Sequence, residues 1–349
     1  MKKVRLGKTG INVSQIGFGG IPIQRLSEVD AINVVRRCIE LGLDFIDTAN
    51  AYTTSEERIG KAISVQRENL VIATKTLART SEQVKEHLEL SLKRLRTNYI
   101  DLYQLHNVSD LDAWKLIREK NGPLTTLEEA KRQGVIRHIG ATSHSLDMAK
   151  ELVKSGIFET IMFPFNFITH EAADELLPLT RINDVGLIAM KPLEGGRLQN
   201  VGLAFKYLCQ FSDVVTIVGI EKVGEIEEIV EILKGPLSVE ELDKLEIERQ
   251  RREMGSLFCR RCDYCQPCTT DIPISLVMDY PSLVRRLPPE RIYSDSDFID
   301  DAMQKAANCT KCGDCEKRCP YGLPIQDMLD KYVSQHLAGK SMYLKKRNL

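Results

Sequence analysis

Short apolar runs alternate with helical segments eight times along this 349-residue chain, and that alternation restricts its fold more than any other feature. The strand-like runs lie at 15–19, 44–48, 70–75, 100–105, 138–142, 160–165, 186–190 and 214–218. Segments with helical spacing of apolar residues fall between them, at 30–41, 55–63, 81–95, 124–133, 146–155, 172–181 and 224–233. Strands that alternate with helices pair in parallel through right-handed crossovers, and eight such units favour closure into a barrel. Gly42, Gly134 and Gly186 stand where helices should end before the next strand. Pro236 and a charged helix at 239–254 mark the exit from the barrel, which puts the boundary near Gly255 and divides the chain into 1–254 and 255–349.

Composition removes several classes of function. The net charge is -1, with acidic and basic residues evenly spread, so no basic face tracks phosphates and no nucleic-acid partner is expected. No apolar run reaches the roughly 20 residues that span a bilayer, and the first ten residues lack a hydrophobic signal core. The expectation is a cytoplasmic protein without a membrane partner.

Eight of the ten cysteines lie between Cys259 and Cys319, while Cys38 and Cys209 stand alone in helical segments. Clustering of this kind without a secretory signal reads as metal or cluster ligation before disulfides. The second run, Cys309-x2-Cys312-x2-Cys315-x3-Cys319-Pro320, is the bacterial ferredoxin spacing, in which three cysteines hold one cluster and the fourth reaches another. The first run, Cys259-x2-Cys262-x2-Cys265-x2-Cys268, is one residue short before its last cysteine and is followed by Thr269 in place of proline. Crossover ligation would give one [4Fe–4S] cluster to Cys259, Cys262, Cys265 and Cys319, and a second to Cys309, Cys312, Cys315 and Cys268. Structural zinc is the competing reading, but it takes four thiolates, usually in two separated pairs. About 40 intervening residues, with a helix expected at 296–307, point to a small, mainly helical ferredoxin-like domain.

Reactive groups of a barrel of this type sit just past the carboxyl ends of its strands. Asp47 closes the second run in Phe45-Ile46-Asp47-Thr48-Ala49-Asn50-Ala51-Tyr52, Lys75 ends the third, and His106 ends the fourth in Asp101-Leu102-Tyr103-Gln104-Leu105-His106. A buried lysine beside a phenol favours the phenolate, while a carboxylate keeps the lysine charged and placed. Tyr52 would then serve as a general acid. Each residue alone also has a structural reading, as a helix cap, a rim residue or a satisfied hydrogen-bonding partner.

Taken together, the set resembles the aldo-keto reductase family, with Ser55-Glu56, Ile59-Gly60 and Asp101-Leu102-Tyr103 in support over about residues 1–234. The resemblance implies a TIM barrel, an Asp47, Tyr52, Lys75 and His106 tetrad, and hydride transfer between a nicotinamide and a small-molecule carbonyl or alcohol. It also implies cofactor contacts. Ser143 and His144 stand where the family usually has Ser-Asn on the carboxamide, and Asn166 where a Gln or Asn reaches the same amide. Met190 replaces a stacking aromatic ring, with Lys191, Pro192 and Leu193 after it and Gly20 and Ile21 on the first loop; the alternative for Met190 is an ordinary core residue.

At the adenosine end, Gly219, Glu221, Lys222, Glu225 and Glu228 follow the eighth strand, and Glu225 aligns with the arginine that NADPH-specific members place on the 2′-phosphate. A carboxylate there favours NAD(H) over NADP(H), with Lys222 arguing the other way. Alternatively, Glu225, Glu227 and Glu228 form only a solvated helix face. The whole chain is similar to the subfamily that adds a C-terminal [4Fe–4S] domain, which would serve structure or an external redox partner. Other readings are an electron-transfer subunit, or a nicotinamide-sensing or docking protein with little turnover. The insert at 108–121 carries no code for the substrate, though Trp114 is a candidate for its pocket wall.

Overall fold

The computed structural model describes residues 1–294 and 298–347, which divide into two compact units, Met1–Lys244 and Leu245–Leu349. In the first unit a short antiparallel hairpin, β1 (Lys3–Arg5) and β2 (Asn12–Ser14), precedes eight parallel strands. These are β3 (Ile16–Gly19), β4 (Phe45–Asp47), β5 (Val71–Thr76), β6 (Ile100–Leu105), β7 (Ile136–Thr142), β8 (Thr160–Pro164), β9 (Gly186–Met190) and β10 (Val214–Gly219). They close into a barrel in which β10 pairs with both β9 and β3. The strands are buried on both faces almost throughout, Arg137 of β7 being an exception, which is why they read as mainly apolar runs and not as strict alternation.

Helices α1 (Glu28–Glu40), α2 (Ser55–Ile63), α3 (Ser81–Leu95), α4 (Leu111–Ile117), α5 (Pro123–Arg132), α6 (Leu146–Lys154), α7 (Leu177–Ile182), α8 (Val201–Cys209) and α9 (Val223–Lys234) form the connections. Several begin on a side chain that caps a free backbone N–H: Ser27 for Asp30, Thr80 for Gln83, Ser145 for Met148. The helix expected at 172–181 is broken. A π turn, Ala172–Leu176, precedes α7, because Pro178 has no N–H to return to the Asp174 carbonyl.

The hairpin, unforeseen in the sequence, plugs the amino-terminal end of the barrel with Val4, Leu6 and Val13, which share a buried cluster with Phe45, Leu102, Met162 and Ile188. It also explains Gly186, which does not terminate a helix. The left-handed turn there belongs to Asp184, whereas a Cβ on Gly186 would lie 2.8 Å from Leu6. Trp114 packs against Phe158 and is only 5% exposed, so it is a core residue and not a pocket wall.

At the same end of the barrel, the Glu159 carboxylate accepts hydrogen bonds from His138 Nδ1 (2.7 Å), Lys131 Nζ (2.7 Å) and the Ile139 N–H (3.0 Å). Burial opposes the charge, but these donors outweigh it and hold the carboxyl down to about 2. A folded-state value below the ordinary range means that the stabilisation is complete above about pH 5 and is lost as pH falls toward 2. Glu159→Gln should cost about 1–3 kcal/mol at pH 7. Thermal unfolding at pH 7 and at pH 3 measures this, with the gap between wild type and variant narrowing at the lower pH; a gap independent of pH refutes it.

The second unit is helical. After α10 (Glu241–Met254), inside which the two units divide, come α11 (Ile274–Met278), α12 (Tyr280–Arg286), α13 (Glu290–Tyr293), α14 (Phe298–Ala307), α15 (Asp314–Lys317) and α16 (Ile325–Arg347). Ser296, at which a helix was expected to start, lies outside the described residues. The unit has its own apolar core, including Val277, Ile299, Met303, Leu329 and Val333. Buried Asp300 ties α14 to α16 by accepting from His336 Nε2 (3.0 Å) and Lys340 Nζ (2.8 Å). Among the described residues, no helix is long and apolar enough to cross a membrane.

Candidate active site and cluster sites

Asp47 is the last residue of β4, Lys75 the penultimate residue of β5, and His106 follows β6 directly, so the three side chains emerge at the carboxyl rim of adjacent strands. Lys75 is fully buried and donates to Asp47 Oδ2 and to the Thr48 carbonyl, both at 2.6 Å. Gln104 Nε2 donates to the other carboxylate oxygen at 3.2 Å. The Tyr52 ring lies 5.1 Å from Lys75 Nζ, and the His106 ring meets it edge-on at 5.8 Å. All four tetrad candidates therefore converge. Burial alone would push Lys75 down, but Asp47 and Tyr52 oppose this and hold its ammonium above the usual lysine value.

The loop that delivers Tyr52 is fixed by its own sequence. Ser55 Oγ bonds with Thr48 Oγ1 (2.9 Å) and donates to the Gly20 carbonyl (2.8 Å), while the Gly20 N–H reaches the Asp47 carbonyl (2.7 Å). A Cβ at Gly20 would fall 2.7 Å from Ser55 Oγ, so the first loop can approach this closely only as glycine. Glu56 is buried and accepts from Thr74 Oγ1 (2.7 Å) and Arg94 (3.3 Å), joining α2 to β5 and α3. His106 is placed by its backbone: its N–H reaches the Thr76 carbonyl (2.8 Å) and its carbonyl accepts from Arg79 (2.7 Å). Gln104 and Arg79 went unassigned in the sequence. The signal for Gln104 was a polar residue in an apolar strand, whereas nothing marked Arg79.

The cofactor candidates occupy the same rim, on the loops after β3 and β7 to β10. Ser143 is buried in a turn, accepting from the Ser145 N–H and donating to its carbonyl. Next to it, His144 Nδ1 lies 2.9 Å from Asn107 Oδ1, which Ser109 Oγ also approaches (3.0 Å). An amide oxygen only accepts, so Nδ1 carries the proton. Asn166 is committed internally: its Nδ2 donates to the Lys191 carbonyl (3.0 Å) and Glu194 (2.8 Å), and its Oδ1 accepts from Ile168 and Thr169. It fastens the loop after β8 to the loop after β9.

Met190 is half-buried at the end of β9, and Lys191 turns the chain through a left-handed conformation before Pro192 and Leu193. Gly219 pairs in register with Gly19, beside Gly20 and Ile21, and Pro22 packs where its Cβ would be. Beyond it, Glu225 caps its own helix. Its carboxylate accepts from the Glu221 and Lys222 N–H groups at 2.8 and 3.1 Å, the reciprocal half of a capping box at the start of α9. Glu221 pairs with Arg25 (3.5 Å), and Glu228 is exposed.

In the second unit the cysteines surround two cavities. One is lined by Cys259, Cys262, Cys265 and Cys319, the other by Cys268, Cys309, Cys312 and Cys315. The first three cysteines of each run thus meet the last cysteine of the other. Ile274 lines both cavities, and Arg318, which donates to the Cys265 and Pro267 carbonyls, also lines the second. Among the described residues, no three His, Cys, Asp or Glu side chains converge closely enough to hold a single ion. Four cysteines around each void make the donor set that an iron–sulfur cube takes. The remaining thiols belong to the barrel unit, where burial pushes Cys38 up to about 12 and Cys209 up to about 11, so both are inert.

Comparison with known proteins agrees with both units. Residues 258–324 match the 4Fe-4S dicluster domain and residues 15–203 the Aldo/keto reductase family. The chain is 31% identical over 212 residues to the uncharacterized oxidoreductase YqkF of Bacillus subtilis, a match covering 57% of this chain and 67% of that protein. It is 31% identical over 231 residues to the NADH-specific methylglyoxal reductase of Escherichia coli, covering 57% and 69%. The fold is shared with the holo form of aldo-keto reductase AKR11C1 from Bacillus halodurans, with a TM-score of 0.63, 24% identity and coverage of 71% and 96%. It is also shared with an aldo/keto reductase from Klebsiella pneumoniae solved with NADP and acetate, with a TM-score of 0.61, 21% identity and coverage of 72% and 95%. The family match takes in more than half the chain and the strands that carry Asp47, Lys75 and His106, so this protein belongs to the aldo/keto reductase family and carries a 4Fe–4S domain after its barrel.

Proposed function

We propose that the barrel catalyses hydride transfer between a nicotinamide and a carbonyl or alcohol substrate, with Tyr52 as general acid and base. The convergence of Tyr52, His106 and the buried Lys75–Asp47 pair on one rim carries this reading. When bound, the reduced nicotinamide supplies the hydride to the carbonyl carbon. Tyr52 gives its proton to the carbonyl oxygen, and the Lys75 ammonium stabilises the phenolate left behind. His106 orients the carbonyl. Asp47 holds Lys75 charged and in place. The loops after β3, β7, β9 and β10 would hold the nicotinamide, with Ser143, His144 and Lys191 at its reactive end. Asn166 would act on this site by fixing the Lys191 loop. Steady-state assays of the anaerobically purified protein with a panel of aldehydes and ketones test the reading; a folded, cofactor-binding protein that turns over none of them refutes it.

The two cysteine cavities would hold two [4Fe–4S] clusters that serve structure or an external one-electron partner. Cys312 is the only one of the eight cysteines that is exposed, which supports a route for electrons to the surface at that cluster.

NADH is the favoured cofactor. The Glu225 carboxylate occupies the N–H groups at the start of α9 that would otherwise attract a 2′-phosphate, and it repels that phosphate directly. The wild type should therefore use NADH several-fold better than NADPH, judged by kcat/KM, and Glu225→Gln should narrow the ratio while keeping a cap. A wild-type preference for NADPH of about tenfold or more, some 1.4 kcal/mol, rejects this assignment.

A further inference from the structure

Inside the barrel, two completely buried polar atoms have no protein hydrogen-bonding partner: Gln104 Oε1 and Thr160 Oγ1. They are neighbours. Gln104 on β6 and Thr160 on β8 both pair in register with Gly140 of the intervening β7. A Cβ at Gly140 would lie 2.2 Å from Thr160 Oγ1 and 3.1 Å from Gln104 Cγ, so both side chains lean over the glycine on one face of the sheet.

The orientation of the amide follows from its other partner. Asp47 as a carboxylate can only accept, so Gln104 must turn Nε2 toward Asp47, which leaves Oε1 on the Thr160 side. Oε1 needs a donor, and the Thr160 hydroxyl, which can both donate and accept, does not reach it directly. Buried acceptors are rarely left unsatisfied, and a water held by such polar groups is the usual solution.

We propose that a buried water bridges Gln104 Oε1 and Thr160 Oγ1 across Gly140, and that Gln104, held by this water, is a positioning residue that keeps Asp47 ionised against Lys75. The polar seam then runs from Lys75 through Asp47, Gln104 and the water to Thr160. Without the Gln104 donor, Asp47 takes a larger share of the proton it exchanges with Lys75, and the positive charge beside Tyr52 falls. The phenolate that alcohol oxidation requires is then less stabilised.

This consequence rests on the proposed role of Tyr52; the water does not. The test combines a high-resolution crystal structure with pH profiles of alcohol oxidation for wild type, Gln104→Leu, Thr160→Val and Thr160→Ser. Expected are density for a water within hydrogen-bond distance of both atoms in the wild type, its loss in Thr160→Val and its return in Thr160→Ser. Gln104→Leu should lower kcat about tenfold at neutral pH with KM for the alcohol unchanged, the effect of one lost hydrogen bond. Its rising limb should move to higher pH, with a smaller move in Thr160→Val and none in Thr160→Ser. No water density in the wild type overturns the water site. A folded Gln104→Leu with full kcat and an unmoved limb overturns the positioning role. Should Gln104→Leu not fold, Thr160→Val decides, since retained density or an unmoved limb counts against the proposal. A wild type with no turnover would instead refute the reductase reading, with the crystallographic result still deciding the water.

Discussion

Replacing Tyr52 by phenylalanine should cut carbonyl turnover by about 10²–10⁴-fold or more while leaving nicotinamide binding intact, because the change removes one oxygen and nothing that packs the loop. The Tyr52 backbone, through the Tyr52 N–H to the Ala49 carbonyl and the Ser55 N–H to the Tyr52 carbonyl, keeps the turn in place without the hydroxyl. The ring still lies over Lys75 and still meets His106, so the packing of the rim is unchanged. What is lost is the hydroxyl proposed to donate the proton, whose anion the buried Lys75 ammonium would stabilise. A loss confined to kcat would mark an interaction made only in the transition state, whereas a rise in KM alone would mark a binding role. Fluorescence titration of the cofactor against steady-state turnover separates the two, and a variant that retains wild-type turnover removes Tyr52 from the mechanism.

The barrel was legible because parallel strands buried on both faces leave mainly apolar runs, and all eight appear within two residues of their sequence limits. The hairpin β1–β2 was not, since Lys3–Arg5 and Asn12–Ser14 each hold a single apolar residue between polar neighbours and so form no apolar run. Asp47, Lys75 and His106 were visible in the same way, as polar residues at the ends of apolar runs, whereas Tyr52 lies in the loop after the second run and stood out only as part of the set. Glu225 shows a different failure. Its carboxylate accepts from the Glu221 and Lys222 N–H groups, but Lys222 stands at the N-cap in place of the Ser or Thr of a capping-box motif, so the sequence carries no mark of that local role. The commitment of Asn166 to Lys191 and Glu194 could not have been read at all, because it depends on how two loops 25 and more residues apart come together. Gln104 lies between these cases. It is visible as a polar residue inside a strand, but its meaning depends on Gly140 and Thr160 on the neighbouring strands. The grouping of the cysteines around the two cavities follows the crossover pattern of ferredoxin spacing, in which three closely spaced cysteines serve three irons and the fourth comes from the other run.

Loss of both clusters should leave hydride transfer in the barrel unimpaired. A nicotinamide exchanges electrons as a hydride pair and an iron–sulfur cluster passes them singly, and no motif in the chain points to a flavin that would convert one into the other. The energetics point the same way. The barrel unit closes its own sheet and packs its own core, and the Lys75–Asp47 pair is built wholly from its strands. In the second unit, helices α11, α14 and α16 share an apolar core, but the eight cysteines lie mostly on the irregular segments flanking α15 and preceding α11. Those segments have little regular hydrogen bonding of their own, so cluster ligation is what holds them. In Cys262→Ala with Cys312→Ala, iron content should collapse and the cysteine segments should lose protection from proteolysis. Carbonyl reduction by the nicotinamide, assayed anaerobically, should stay within about twofold of wild type, a change of under 0.5 kcal/mol in the barrier. If hydride transfer disappears while the barrel remains folded and still binds cofactor, the clusters take part in the reaction itself, and the two units act as a single redox machine.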